Sequence, residues 1–259
     1  MHERLSFFVK RDSPIHPLNP LTKVVMALSI VLIAFLSPWY WTPPALFLAA
    51  IFPLSVIAKV GREYWNFFLK IVLPTILILF IMQALFLPGE SRIILERFGL
   101  EVTELSLQLA FRNATRIAVM ISSFTILLLT THPSELMSDL THRGLPGQFA
   151  YVVISSLQII PQMQAKAQTI ISAQRSRGLD TQSSFLRRVS GILPLVGPLV
   201  FGSLVEVEER AIAIEARGFT STRPKSFWHQ IPDTGTDKII RWILAGLVIL
   251  TLALRLWLS

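Results

Sequence analysis

The run FFLKIVLPTILILFIMQALFL, from Phe67 to Leu87, holds 21 residues, of which only Lys70 is charged. A helix needs about 20 predominantly apolar residues to cross the hydrocarbon core of a bilayer. Pro74 lies inside the run, and Pro88-Gly89 follows it as a stop signal. The run is therefore predicted to be a transmembrane helix.

Four further apolar segments flank this run in the sequence. They are predicted at about Val24–Leu36, at Pro44–Ala58, in a segment that ends with Ile117–Thr131, and at Ile239–Leu258. The first two are short for a full crossing, which a tilt or a partial crossing would accommodate. The aromatic cluster Trp39-Tyr40-Trp41 between them is typical of the lipid headgroup level.

The composition agrees with this layout. Of the 259 residues, 52% are hydrophobic and 15% are charged, and the mean hydropathy is +0.57, whereas a soluble domain carries about 25% charged residues. Because the chain has no cysteine, thiolate metal sites, disulfides and thiol redox chemistry are excluded. The polar, proline-punctuated Met1–Lys23 does not read as a secretory signal. These features predict an all-α polytopic membrane protein with about five transmembrane helices.

The positive charges are distributed unevenly over the predicted loops. Of 24 Lys and Arg residues, the five-span layout places 19 on the N-terminal side of the membrane. The positive-inside rule then predicts a multi-pass protein of the cell membrane with a cytoplasmic N-terminus and an external C-terminus. The net charge of +8 is assigned to this asymmetry, and no nucleic-acid partner is predicted. The five charges on the other side are Arg92, Arg97, Arg112, Arg116 and Arg255.

Between the fourth and fifth spans lies a stretch in which apolar runs alternate with Arg, Gln and Glu. The predicted domains are a membrane domain of four transmembrane helices (1–131), a cytoplasmic coupling domain of long helices (132–236) and a C-terminal transmembrane helix (237–259). Val189–Val205 is apolar throughout and is an alternative sixth span. Its glycines and prolines weaken an isolated spanning helix, so a cytoplasmic or membrane-hugging helix is preferred.

Two arginines, Arg112 and Arg116, precede the apolar end of the fourth span. A charge in the bilayer core costs on the order of 3 kcal/mol. Measured from Thr131, Arg116 lies about 22 Å along the helix, within snorkelling reach of the outer headgroups. Two interpretations stay open, an outer-leaflet anchor and a functional charge pair.

Two segments of the predicted coupling domain end in the same way. Pro161–Gly178 closes with AQRSRG and Ser203–Gly218 closes with AIEARG, so that Ala, Arg and Gly coincide at an offset of 40 residues. Both segments are predicted to be amphipathic helices. The side of the first helix carries Met163, Ala167, Ile170, Ile171 and Gln174, and that of the second carries Leu204, Val207, Ala211 and Ile214.

Each of these ends has a structural and a functional interpretation. A glycine just past a helix end is a common left-handed cap, and an arginine in the last turn complements the helix dipole. Two matched copies on amphipathic helices also fit two docking sites, because the fork of an arginine suits a carboxylate on a partner. The residues alone leave capping and docking equally open.

The doubled motif, in AQRSRGLD and EERAIAIEARGF, resembles the signature of the T component of energy-coupling factor transporters. That scaffold family includes the cobalt and biotin uptake permeases. Ser176 stands where Ala is commoner, a departure that leaves Arg177 and Gly178 matched. The similarity covers almost the whole chain, because it extends to HPLNPLTK (His16–Lys23), TTHPSELMSDLTHRGLPGQFA (Thr130–Ala150) and ILPLVGPLVFGSL (Ile192–Leu204).

The resemblance implies the energy-coupling scaffold subunit of an ATP-driven importer. Two ATP-binding-cassette (ABC) ATPases would grip the two helix ends, and a small membrane S component would bind a vitamin or a metal ion. Membrane lipid is the other expected partner. The docking residues implied are Ser176, Arg177 and Gly178 at one end, and Ala216, Arg217 and Gly218 at the other.

No catalytic residue, metal site or cofactor is predicted in the chain itself. The five histidines show no metal-ligand spacing, and no phosphate loop ending in Gly-Lys-Ser/Thr is present, so ATP hydrolysis is assigned to the partners. Glu208-Glu209 resembles half of an intramembrane prenyl-protease motif, but Ala213 stands where that motif has Arg. A secondary carrier is disfavoured because the spans contain no acidic residue. The remaining alternative is the permease subunit of an ordinary ABC importer with its own translocation path.

Overall fold

The computed structural model describes residues 11, 13–86, 93–97, 100–178, 185–219, 221 and 232–258, with side chains described for all of these except 93–97, 100, 101, 185–195 and 258. The first half of this chain forms helix α1 (Pro20–Leu36), α2 (Thr42–Leu46), a π-helical segment (Phe47–Ile51), α3 (Phe52–Ile57), α4 (Gly61–Phe67), a second π-helical segment (Phe68–Val72) and α5 (Leu73–Phe86). Strands β1 (Ile93–Arg97) and β2 (Leu100–Thr103) follow, and then α6 (Glu104–Thr130), α7 (Pro133–His142), α8 (Gly147–Ser176), α9 (Phe185–Ala216) and α10 (Gly235–Leu258).

Helix α1 begins where the sequence supplies a cap. The Oδ1 of Asn19 accepts a hydrogen bond of 2.9 Å from the backbone N–H of Leu21, and Pro20 occupies the first helical position, where no N–H is needed. The helix ends at Leu36, because Ser37 precedes a proline and adopts an extended conformation. The first span was predicted to start at Val24, about one helical turn after the observed start of α1 at Pro20.

Each π-helical segment ends two residues before a proline, Pro53 in the first case and Pro74 in the second. Proline has no N–H to donate, and its ring collides with the carbonyl group four residues earlier. A wider π turn in front of the proline relieves that collision, so the helix continues instead of breaking. The continuous helices that result are Thr42–Ile57 and Gly61–Phe86.

Three helical stretches of the described residues are long and apolar enough to cross a membrane: Gly61–Phe86, Glu104–Thr130 and Gly235–Trp257. Pro20–Leu36 and Thr42–Ile57 are apolar but shorter. The five predicted spans fall on these five stretches, and the prediction of an all-α membrane protein is confirmed. The short antiparallel β1–β2 hairpin before α6 is not among the sequence predictions.

Polar contacts fix α6 within an otherwise apolar core. The hydroxyl of Tyr64, which is fully buried on α4, donates a hydrogen bond of 2.8 Å to the Oγ of Ser122 on α6. The next residue, Ser123, donates to the carbonyl oxygen of Ala27 in α1 at 3.2 Å. Because an unsatisfied polar group is costly in such surroundings, these bonds specify how α6 lies against its neighbours. The surrounding core side chains are Ile15, Ile30, Ala34, Ile51, Ala58, Val60, Phe68, Val72, Val119, Ile126 and Leu129.

Arg116 on α6 closes the C-terminal end of α1. Its Nε donates to the carbonyl oxygen of Ala34 at 3.0 Å, and its Nη2 donates to that of Ser37 at 3.0 Å. Its guanidinium also lies 5.7 Å from the centre of the Phe35 ring. The last carbonyl groups of a helix have no partner within the helix, so Arg116 supplies one. One turn earlier, the Nε of Arg112 has no hydrogen-bond partner among the described residues.

The described chain packs as two units. One comprises Ser6–Leu145 with Ile231–Ser259, and the other contains Pro146–Gln230, which includes α8 and α9. Helix α7 lies in the first unit, although it follows residue 131, the predicted end of the membrane domain. The segment 189–205 falls within α9 and lies partly outside the residues with described side chains. The predicted domain boundaries and the alternative sixth span stay predictions.

Candidate functional site

Helix α9 ends in a complete Schellman motif. Arg217 follows the last helical residue, and Gly218 comes next with a φ of +65°, in the left-handed region. The N–H of Gly218 donates to the carbonyl oxygen of Glu215 at 2.9 Å. The N–H of Phe219 donates to the carbonyl oxygen of Ile214 at 3.2 Å. These two bonds define the motif and make this helix end a fixed, tight turn.

Helix α8 ends in the same conformation. Arg177 is its C-cap residue, with a φ of −89°, and Gly178 follows with a φ of +91°. The N–H of Gly178 donates to the carbonyl oxygen of Arg175 at 3.0 Å, the counterpart of the Gly218 bond in α9. The next residue, Leu179, lies outside the described part of the chain. The two matched sequences thus give two matched helix ends.

Both glycines are required by the backbone conformation and not by a lack of space. Residues with a side chain rarely adopt a φ of +65° or +91°, because their Cβ collides with the following carbonyl oxygen. A Cβ added at Gly178 or at Gly218 would otherwise meet nothing within 4 Å. Substitution of either glycine therefore changes the shape of the helix end without disturbing its packing.

A third helix in this chain also ends on Arg-Gly. Helix α7 is capped by Arg143, and Gly144 follows with a φ of +110°. The Nε of Arg143 lies 2.9 Å from Asp139 Oδ2, and its Nη2 lies 3.2 Å from Asp233 Oδ2. The hydrogen bond to Asp139 raises the pKa of Arg143, and the hydrogen bond to Asp233 adds to this effect. The guanidinium at this helix end is therefore satisfied within the chain.

Arg177 and Arg217 differ from Arg143 in their surroundings. Both residues are exposed, and neither guanidinium makes a hydrogen bond or an ion pair with any residue that the structure describes. The neighbouring Ser176 and Ala216 are exposed as well. The six predicted docking residues thus lie at two similar, exposed helix ends. Each end presents the permanently charged guanidinium of the arginine that precedes its glycine.

Helices α8 and α9 pack against each other through a partly polar seam. The seam contacts are Lys166–Glu206, Arg210–Gln162 at 2.6 Å and Ser203–Met163 at 3.3 Å. The residues predicted for one side of α8 are all half-buried. Of the side predicted for α9, Ile214 is half-buried, whereas Leu204, Val207 and Ala211 are exposed. The helical period was predicted correctly, and α9 meets α8 through a different, largely polar side.

Both helices consequently keep an exposed apolar face. Phe149 near the start of α8 is 65% exposed, and Phe201 of α9 is 71% exposed. Contiguous apolar surface of this kind marks contact with lipid or with a protein partner. The other residues of these faces are Val152, Val153, Leu157 and Ile160 in α8, and Val196, Val200, Leu204, Val205, Val207 and Ile212 in α9.

A buried polar network, which the sequence analysis missed, connects α1, α7 and α10. The Nδ2 of Asn19 donates to Asp139 Oδ1 at 3.0 Å, and the backbone N–H of Asn19 donates to Asp237 Oδ1 at 3.1 Å. The Nζ of Lys23 donates to the carbonyl oxygen of Thr130 at 3.0 Å. All five residues are buried. The one local signal for this network is Asn19 followed by proline, which is typical of a helix N-cap.

The chain is similar in sequence to known transporter components. The family model described as CbiQ, cobalt transport protein, matches residues 11–227. The energy-coupling factor transporter transmembrane proteins EcfT of Leuconostoc gelidum subsp. gasicomitatum and Bacillus subtilis are each 30% identical, over 97% and 96% of this chain and 96% of each relative. The EcfT of Heliobacterium modesticaldum is 29% identical over 95% of both chains. The chain therefore belongs to the CbiQ family, among the transmembrane components of energy-coupling factor transporters.

Proposed function

We propose that this transmembrane component couples ATP hydrolysis by two partner ABC ATPases to a small membrane S component, which binds a vitamin or a metal ion for uptake. The observation that carries the proposal is the pair of matched helix ends. At these ends Arg177 and Arg217 are exposed and make no ion pair with the described residues. The chain acts as a scaffold, and the partners hydrolyse the ATP.

The electrostatics of a helix end explain why an arginine is needed there. The C-terminus of a helix carries a partial negative charge, which repels a carboxylate on an approaching partner. Arg177 and Arg217 reverse that sign, and their planar forks can hold a carboxylate with two parallel hydrogen bonds. The left-handed turns at Gly178 and Gly218 end each helix abruptly, so that it fits a groove. Two equivalent ends fit a pair of related ATPases.

The exposed apolar faces of α8 and α9 favour the part of the proposal in which these helices contact a membrane-embedded partner. Phe149, Leu157, Phe201 and Leu204 are all at least 46% exposed in the chain alone. Lipid or an apolar surface of the S component would cover these side chains and remove them from water. Movement of α8 and α9 on ATPase closure would then be passed to the S component through this contact.

The proposed topology follows the charge asymmetry. The N-terminus and the coupling domain, residues 132–236, are cytoplasmic, as contact with ATPases requires, and the C-terminus is external. In this scheme the S component selects the substrate, so vitamins and metal ions are both compatible with the same scaffold.

The proposal is tested by co-expressing the chain with its ATPases and S component and isolating the complex by a tag on the chain. Arg177→Ala and Arg217→Ala should each weaken ATPase retention, because a partner carboxylate is left without its cation, at a cost of about 2–5 kcal/mol. The double variant should retain neither ATPase and should not support uptake. Lysine at both positions should be only partly effective, since it keeps the charge but not the fork.

Arg210→Ala is the matched control. It removes the same charge from α9 but lies in the seam with α8, where Arg210 contacts Gln162. ATPase retention by this variant should be close to that of the wild type. Normal retention and uptake by the Arg177/Arg217 double variant would contradict the proposal. Isolation of an active importer without any separate membrane partner would instead indicate an ordinary ABC permease.

A further inference from the structure

The polypeptide leaves the first packing unit after Leu145 and returns to it just before Pro232. Arg143 lies two residues before the exit, and Asp233 follows Pro232 directly. Although they are 90 residues apart in sequence, Arg143 Nη2 and Asp233 Oδ2 are 3.2 Å apart. We call the point where the chain leaves the first unit and the point where it returns the two chain crossings. One ion pair inside the first unit therefore joins these two crossings.

This ion pair is itself anchored to two helices. The Nε of Arg143 is bound 2.9 Å from Asp139 on α7, whose side chain is 6% exposed. Asp233 receives two hydrogen bonds, of 2.7 and 2.8 Å, from the Nη2 of Arg241 on α10. We call the group of Asp139, Arg143, Asp233 and Arg241 the crossing clamp.

The clamp continues into the start of α1. Asp139 accepts a hydrogen bond of 3.0 Å from the side chain of Asn19, and Asn19 also binds Asp237 on α10 through its backbone N–H at 3.1 Å. Asn19 is the N-cap residue of α1. The two crossings are thus connected by unbroken hydrogen bonds to the beginnings of both α1 and α10.

We propose that the crossing clamp makes the two chain crossings move as one body, so that force applied to α8 and α9 is delivered jointly to α1 and α10. This inference rests on the proposed function and assigns Arg143 and Asp233 a positioning role in energy coupling. A single crossing is one covalent connection, about which the attached helices can rotate. Two crossings held together define a fixed attachment, through which a rotation can be transmitted.

The geometry of Arg143 suits this role better than a lysine would. Its Nε and Nη2 bind two different carboxylates at the same time, Asp139 within its own helix and Asp233 beyond the other crossing. An ammonium group is a point charge at the end of a flexible stem, and it cannot reproduce the planar fork. Charge alone should therefore not restore the clamp.

The test measures uptake per ATP hydrolysed by the reconstituted full complex, with ATPase retention measured on the same preparations. Arg143→Ala, Arg143→Lys and Asp233→Asn should retain both ATPases and continue to hydrolyse ATP. Their uptake per ATP should fall by about tenfold, which corresponds to about 1.4 kcal/mol. The Arg143→Ala/Asp233→Asn double variant should be no worse than the single variants, because all of them break the same connection.

Arg11→Ala is the matched control, because Arg11 forms an ion pair of 3.0 Å with Glu63 in the same unit but away from the crossings. This variant should transport with the wild-type yield. Equal losses in the Arg11 and Arg143 variants would overturn the proposal and indicate general stabilisation. An unchanged yield in the double variant would overturn it as well.

A reversible bridge gives a second readout that does not depend on how each variant folds. Because the chain has no native cysteine, Arg143→Cys/Asp233→Cys can be joined by a short, cleavable bis-thiosulfonate linker. The linked protein should transport with the wild-type yield, and cleavage of the linker should lower the yield about tenfold in the same sample. Equal yields before and after cleavage would overturn the clamp. Failure of the proposed function is separate, since it would appear as ATPase retention that does not depend on Arg177 and Arg217.

Discussion

Arg116 and Ser37 are joined across two helices by a hydrogen bond of 3.0 Å, from the guanidinium Nη2 on α6 to the carbonyl oxygen just beyond α1. The same guanidinium binds the carbonyl oxygen of Ala34 through Nε. An arginine that the sequence suggested as a lipid anchor or a functional charge is therefore the cap of a neighbouring helix. Its charge is partly offset by the negative end of the α1 dipole.

Arg116→Ala should lower the stability of the protein by roughly 1.5–3 kcal/mol, the usual contribution of hydrogen bonds to a charged group. Arg112→Ala, one turn away, should have a smaller effect, because its Nε has no hydrogen-bond partner among the described residues. Thermal unfolding in detergent micelles compares the two variants. Equal shifts in Tm would argue against the capping role.

Gly178→Ala and Gly218→Ala should each cost about 1–2 kcal/mol in local stability, because the left-handed conformation opposes a Cβ. Asn should be milder than Ala, since it tolerates this conformation better. Gly202→Ala is the control: it also has open space around its Cβ position, but it lies inside α9. At that position alanine should stabilise the protein by about 0.5–1 kcal/mol. Unfolding curves and uptake by the reconstituted complex would be measured on all of these variants.

A single cysteine at Ser221 should be labelled by an impermeant maleimide only after the membrane is opened, because the coupling domain is predicted to be cytoplasmic. A cysteine at Trp39, which is 61% exposed next to the C-terminal end of α1, should be labelled in intact cells. Intact-cell labelling at position 221 would disprove the five-span topology and favour a sixth span through α9.

Lowering the pH should weaken the crossing clamp, because the carboxylate of Asp233 becomes protonated. Hydrogen bonds from Arg241, supported by the one from Arg143, hold the pKa of Asp233 below its ordinary value of 3.8. The stabilisation is therefore fully present above about pH 4 and is lost as the pH falls through the lowered pKa. Asp233→Asn should be less stable than the wild type at pH 7, and the difference should shrink toward pH 3. A difference in Tm that does not change with pH would contradict this assignment.

The helix ends at Gly178 and Gly218 could be predicted from the sequence because a cap is a local feature. A glycine that follows the last helical turn needs only its immediate neighbours to close the turn. The second partner of Arg143, beyond Asp139 on its own helix, could not be predicted in this way. Asp233 is 90 residues away, and no local pattern connects the two. For the same reason the network around Asn19 was missed, although its N-cap signature is visible.

The packing of α9 shows a second limit of sequence patterns. The spacing of Leu204, Val207, Ala211 and Ile214 indicates correctly that these residues share a side of a helix. It does not indicate which side meets α8, because Lys166–Glu206 and Arg210–Gln162 make a polar seam acceptable. Hydrophobic periodicity assumes that the apolar side is the buried one. That assumption fails when the apolar side is left to lipid or to another protein.

The three Arg-Gly helix ends differ in whether the arginine is available to a partner molecule, and a single nearby residue accounts for the difference. At α7 the carboxylate four residues before the arginine is Asp139, and it binds Arg143. The equivalent positions in α8 and α9 are Ala173 and Ala213. An aspartate at either alanine would bind Arg177 or Arg217 within its own helix, and under the proposed function it would compete with the ATPase for that arginine. The alanines thus keep these two arginines available to other molecules. A single carboxylate at either position would be enough to pair with the arginine and remove it from such contacts.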